Sequence, residues 1–271
     1  MRFIEQGKYT QMKHLELVTH NIKENIRVFQ LMTDKKRIEW KDSGVVSKFV
    51  SSKEFSWHKE PLKELLFDLG ILVEACSINI EQLSTDQLNI LDKEKLMRRE
   101  KYILFSPNKR LETKEDTAWW VSLDIPKQLV VWQEHHKKLE VLVSEWVCIR
   151  KIAVSSLLLQ KEKKSKFEFG TISLLEKKPK CLAKDFVSMF GVNELLNAAV
   201  VDILKIEELA ALGFFNMSEI RNYREVTDVN LKFYLMEISK EKAMAEFYEK
   251  RLKLLSQFSI NRTFPNADEF K

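Results

Sequence analysis

The residues with the clearest capacity for chemistry lie in "IEELAALGFFNMSEIRNYREV", Ile206 to Val226. An apolar run leads to Gly213, and a second segment then offers Arg221, Asn222 and Arg224. Arginine holds a guanine edge or a phosphate with two parallel donors, and asparagine does the same for adenine. On a helix, residues at i and i+3 are neighbours, so Arg221 and Arg224 would present adjacent forks. Gly213 can take the left-handed conformation that ends a first helix, and Asn216 with Glu219 can cap a second. The bland alternative is an ordinary pair of packed helices anchored by Phe214 and Phe215.

Over this stretch alone, the chain resembles the mercury-resistance-type regulators, and the resemblance implies contact with DNA. It departs from them in a turn one residue longer and in Ala210, which stands three rather than four residues before Gly213. A second basic group supports an anionic partner. Lys161, Lys163 and Lys164 precede, and Lys166 opens, the alternating segment "KFEFGTIS", which reads as a β-hairpin with a lysine-rich tip. Such a tip could sit on phosphates as a wing does. It could equally be a solvated hairpin end whose lysines discourage edge pairing.

Other chemistry is set aside. No glycine-rich phosphate loop and no nucleophile elbow is present. His135 and His136 are adjacent, so on a helix they point about 100° apart and suit one metal poorly. His20 and Glu24 read as a solvated i, i+4 pair. Glu168 and Lys177 have a loose nuclease-like look that hairpin alternation explains. Cys148 reads as a small buried hydrophobe, and Leu62–Leu66 (LKELL) as core. Two further helix–turn–helix-like stretches fail. Pro61 would break the reading helix of the first, and the second, "DFVSMFGVNELLNAAVV", has no basic residue to meet phosphate.

The elements that must position these residues follow from composition and periodicity. Six glycines and five prolines in 271 residues are far too few for a turn-rich β-protein, so the fold is expected to be mainly α. A 45% hydrophobic share beside 31% charged residues suits a soluble domain with a buried core. A net charge of +5 is mild for a dedicated nucleic-acid protein. Three scattered cysteines and no apolar leader suggest a reducing cytoplasm, and no apolar run suggests a membrane span.

Met12, Leu15, Val18, Ile22, Ile26, Phe29 and Met32 define one helix face within 9–33. Residues 44–56 are ambiguous. Pro61 opens a helix that Gly70 closes, and Ser84 with Gln87 makes a capping box for a helix running to about Arg99. "KYILFSP" and "TAWWVSLDIP" read as a first hairpin around "NKRLETKED". From Pro126 the longest helix begins, with a seam of Trp132, Leu139, Leu142, Trp146 and Ile149. Helices are expected from Lys184 to Phe258, the last bearing Leu231, Leu235, Ile238, Phe247, Leu252 and Leu255. The tail "NRTFPNADEFK" reads as loose.

The expected architecture is a multi-helix bundle around a long central helix with two short β-hairpins. It divides into an N-terminal helical region, 1–116, and a C-terminal helical region with a basic hairpin, 117–271. The expected function is a non-enzymatic cytoplasmic binding protein, a nucleic-acid-associated regulator using the C-terminal half. Arg221, Asn222, Arg224, Lys161, Lys163, Lys164 and Lys166 would contact DNA or RNA. The alternative is a protein–protein interaction subunit of a mobile-element or antiviral assembly. No catalytic residue, metal, cofactor or membrane is assigned, and the oligomeric state is left open.

Overall fold

A computed structural model describes residues 2–108 and 118–257. In chain order its helices are α1 (Arg2–Glu5), α2 (Lys8–Leu31), α3 (Lys59–Asp68), α4 (Leu72–Ala75), α5 (Thr85–Lys93), α6 (Ile125–Val154), α7 (Leu157–Glu162), α8 (Ala183–Ala198), α9 (Ile203–Ala211), α10 (Met217–Ile220) and α11 (Ile238–Gln257). The strands are β1 (Arg37–Trp40), β2 (Val45–Trp57), β3 (Cys76–Ile78), β4 (Lys101–Pro107), β5 (Lys164–Phe167), β6 (Gly170–Glu176), β7 (Ala199–Val201) and β8 (Arg224–Glu237). The protein is mainly α, about 60% helical, with small antiparallel sheets. Among the described residues no helix is long and apolar enough to cross a membrane.

The chain forms two compact units. The first comprises 1–51, 100–177 and 231–242, and the second 52–99, 178–230 and 243–271. Neither is a continuous half, since the segments 1–116 and 117–271 each contribute to both. The segment between the expected halves, 109–117, lies outside the described residues, as do the tail 258–271 and the side chain of Leu255.

In the first unit, α2 and α6 supply the main apolar faces. Helix α6 starts where Asp124 accepts a bond from the Lys127 amide at 3.1 Å, with Pro126 in the first turn, where its missing N–H costs nothing. Val18, Ile22 and Ile26 of α2 bury against Leu129 and Trp132 of α6, together with Val45, Phe233 and Leu235 from the strands. Further along the same two helices, Phe3 of α1 and Tyr9, Met12 and Leu15 of α2 gather on Leu142 of α6, with Leu139, Trp146 and Ile149 half-buried beside them. A third cluster, Ile103, Leu159, Ile172 and Leu174, joins α7 to the sheet β4–β6–β5.

That sheet corrects two expectations. Strand β4 pairs not with the chain after 117 but with β6, from Lys101↔Glu176 to Pro107↔Gly170. Trp119–Ser122 is a 3-10 turn leading into α6. The β5–β6 hairpin exists, but Phe167 pairs Gly170, so Glu168 and Phe169 form its tip. Lys161 lies on α7, Lys163 ends that helix in a left-handed conformation, and Lys164 and Lys166 lie on β5. Lys161, Lys163 and Lys164 therefore sit at or before the foot of the hairpin, and only Lys166 lies near its tip. Gly170 has φ of 151°, and a Cβ there would lie 2.5 Å from the Ser106 carbonyl oxygen. Only glycine lets β6 approach β4 so closely.

The second unit has one continuous core. Leu62 and Leu66 of α3, Phe186 of α8, Ile206 of α9 and Ile220 of α10 are all completely buried within it. The Ser84–Gln87 capping box forms as the sequence implies, although α5 stops at Lys93. Gly70, with φ of 70°, follows α3 and turns the chain into α4. Gly191 breaks α8 internally. Strands β3 and β7, far apart in sequence, pair through Cys76↔Val201 and Ile78↔Ala199.

Helices do not run unbroken from 184 to 258. Strand β8 interrupts them, so Leu231 and Leu235 lie on a strand, and α11 begins at Ile238. Val226, Thr227 and Val229 are β-branched and lose rotamer freedom in a helix. Phe233 and Leu235, two apart, are both buried, the period of a pleated strand.

Candidate functional site

The structure separates the seven expected contact residues. Arg221, Asn222 and Arg224 belong to the second unit, and the four lysines to the first. Around Gly213 the first helix forms as expected, as α9, and Asn216 Oδ1 accepts from the Ser218 amide at 2.9 Å. The second helix does not extend. It lasts four residues as α10, and Arg221–Tyr223 is a 3-10 turn before β8 starts at Arg224. The two arginines therefore do not share a helical face. Arg221 and Asn222 are exposed. Arg224 is half-buried, its guanidinium 4.1 Å from the Phe55 ring centre and 5.5 Å from that of Trp57. That stacking occupies one face of the cation with strand architecture.

Lys161, Lys163, Lys164 and Lys166 are all exposed, and none forms an ion pair with another described residue. Lys177, read beside Glu168 in the sequence, is tied to Glu100 at 2.8 Å.

The adjacent pair His135 and His136 sits on α6. His135 Nδ1 is 2.9 Å from the Val131 carbonyl, and the His136 ring stacks on Trp132 with centres 4.7 Å apart. Burial lowers the pKa of both from the usual histidine value. Glu24 pairs with Arg27 at 2.7 Å. Among the described residues no group of three or more His, Cys, Asp or Glu side chains could hold a metal. Cys148 is exposed rather than buried, because it falls on the same α6 face as Val141, seven residues earlier and 66% exposed. Cys76 is buried, and burial pushes its thiol up to about 11, far from a reactive thiolate.

One concave feature of the first unit has no counterpart among the expected sites. Where the cluster around Phe3 and Trp146 meets the one around Ile103 and Leu159, the side chains leave a cavity of about 490 Å³. Its walls come from α1 (Phe3, Ile4), the end of α6 (Trp146, Ile149, Ile152, Ala153), α7 (Leu158, Leu159) and the sheet (Ile103, Phe167, Ile172). The aromatic wall is fixed by ring contacts. Trp146 stacks on Phe3 at 5.4 Å and meets Tyr9 edge-on at 5.3 Å.

Arg150 is the one charged residue among the lining. It is exposed at its end of α6 and makes no ion pair with another described residue. The same Arg150 and Ile103 also line an adjoining groove with Lys101, Tyr102, Val147 and Lys151. Lys101 Nζ donates to Gln160 at 2.9 Å, and Lys151 is exposed. An apolar hollow thus opens beside three cationic side chains. The volume falls in the range of about 300–1,000 Å³ common to small-molecule sites.

Two signals for this site were present in the sequence. The half-seam Trp146–Ile149 needed a partner, and "LLLQKE" carries more leucine than so short a helix can bury. Which strand would close over them was hidden, because α6, α7 and β5 lie between β4 and β6 in the sequence. Comparison with protein-family models, with curated proteins and with solved structures found no match for this chain.

Proposed function

We propose that the protein is a non-enzymatic binding protein whose first unit takes an amphiphile with an acidic head, such as a long-chain carboxylate. One observation carries this: an apolar cavity of about 490 Å³ whose single charged lining residue, Arg150, is shared with a basic groove. The alkyl chain would replace water against Phe3, Trp146 and Ile172, which is favourable in proportion to the apolar area covered. The carboxylate would meet Arg150, with Lys101 and Lys151 in reserve, through charge-assisted bonds.

Titration calorimetry with dodecanoate and dodecanol tests it. Saturable binding is expected, with dodecanoate preferred. Arg150→Ala should remove roughly tenfold or more of that preference, as losing a hydrogen bond to a charged group does. Absence of saturable dodecanoate binding overturns the reading.

A second reading is nucleic-acid binding, favoured by the four exposed lysines of α7 and β5 that lack ion-pair partners among the described residues. It predicts affinity for duplex or single-stranded DNA or RNA that falls steeply with salt. Lys163→Ala with Lys164→Ala should flatten that slope. Arg221 and Asn222 would add to it only through a surface other than a reading helix.

A further inference from the structure

The rim of the cavity carries a second message. Leu157 is 87% exposed, Ile152 68% and Leu158 51%. Ile152 and Leu158 line the cavity, and Leu157 stands beside them at the first position of α7. Three large aliphatic side chains thus project at one corner, between the end of α6 and α7. Soluble proteins tolerate single exposed leucines, but a group at the mouth of an apolar hollow marks an interaction surface.

The charges around that corner identify the partner. Arg150 and Lys151 precede Ile152 on α6, and Lys161 lies one helical turn beyond Leu157 on α7. Lys163 and Lys164 follow at once. Glu162 is the single acid within α7, and its carboxylate accepts a bond from Ser165 at 3.4 Å. Protruding aliphatics flanked by exposed cations suit a surface that is apolar within and anionic at its face. A protein partner would need acidic groups ringing an apolar centre. An anionic bilayer presents that arrangement everywhere.

We infer that the α6–α7 corner docks on an anionic lipid bilayer, with Leu157, Leu158 and Ile152 entering the acyl boundary and the flanking cations on the headgroups. The cavity behind then opens towards the layer from which its ligand would come. This inference rests on the cavity reading above, and it commits the amphiphile to a membrane source. The association is interfacial, of the kind driven jointly by buried apolar area and attraction to anionic lipid.

The test uses the full chain with vesicles of phosphatidylcholine alone or mixed with phosphatidylglycerol, read by co-sedimentation, beside dodecanoate titration. Binding to the mixed vesicles is expected, with little to phosphatidylcholine alone and a fall at high salt. Leu157→Asp should weaken vesicle binding by about tenfold or more, because the leucine no longer leaves water for hydrocarbon. Lys161→Ala should cost about fivefold, the usual worth of one basic residue near an anionic surface. Leu157 lies outside the cavity lining, so Leu157→Asp should bind dodecanoate as the parent does.

Equal binding to the two vesicle types, or unchanged vesicle binding by Leu157→Asp, overturns the bilayer inference even if dodecanoate binds. Loss of dodecanoate binding in the parent overturns the cavity reading itself. Tight duplex DNA binding with no vesicle binding would assign the lysines to nucleic acid and also overturn the inference.

Discussion

The two units solve the packing problem differently. In the second, buried side chains from α3, α4, α8, α9 and α10 form one uninterrupted cluster. In the first, two smaller clusters lie along α2 and α6 and a third joins α7 to the sheet; Phe105 packs against both the second and the third, but these two do not close fully on each other. The gap between them is the apolar cavity. Interiors normally pack as densely as organic crystals, whereas the side chains lining this open hollow lack protein atoms against their outer faces. The proposed binding thus falls where packing is open, and the densest burial falls in the other unit. One unit fills its core; the other leaves apolar surface available.

Breaking the filled core should have the largest effect. Phe186 is completely buried, and its ring centre lies 4.9 Å from that of Phe190. Phe186→Ala is expected to cost roughly 3–5 kcal/mol, measured by denaturant unfolding. A loss below about 1 kcal/mol would show that the second unit relaxes around the hole.

The sharpest comparison applies one substitution to both units. Ala75 is wholly buried in the second unit, whereas Ala153 lines the cavity of the first. Ala75→Leu should overpack and cost about 1–3 kcal/mol. Ala153→Leu has room, so melting should stay level or rise while dodecanoate affinity falls. Equal destabilisation by both would mean that the cavity closes in solution.

A smaller effect tests an ion cluster of the first unit. Glu241 pairs with Arg37 at 2.8 Å and Lys48 at 2.7 Å. Its bond from Arg37, with help from Lys48, pulls its carboxyl from 4.5 to about 2. A depressed carboxylate contributes stability that is fully present above its unfolded pKa and lost as pH falls through the folded one. The contribution should therefore fade between about pH 4.5 and pH 2. Because Arg37 is 45% exposed, water screens the cluster, and Glu241→Gln should cost only about 1 kcal/mol at neutral pH. Its stability should then vary less across the acid range than that of the parent.

Local signals were legible in the sequence. The apolar face of α2, the Asp124-to-Pro126 start of α6, the Ser84–Gln87 box and the αL turn at Gly213 all depend on neighbours a few residues apart. Non-local pairings were not. Nothing near Lys101 marks Glu176 as its partner, and nothing near Cys76 marks Val201. Arg221, Asn222 and Arg224 continue the helical pattern begun at Asn216, yet the chain from Arg224 is strand β8. Tertiary pairing decided that segment: the Tyr223 carbonyl accepts from the His58 amide at 2.9 Å, and Arg224 covers Phe55. The lysines were found, but not their setting beside exposed leucines, since exposure cannot be read from residue type.

The order in which the first unit's segments leave the ribosome follows from its three-part make-up. The groups lining the cavity are all made by Ile172, so that half can condense while synthesis continues. The cluster on Trp132 cannot, because it needs Phe233 and Leu235, which emerge last. Until then Val18, Ile22 and Leu129 have no strand from 231–242 to cover them, and the nascent chain presents that surface to chaperones. A stop codon anywhere before 231 would make this exposure permanent, turning a late truncation into a folding lesion at a helix made near the beginning.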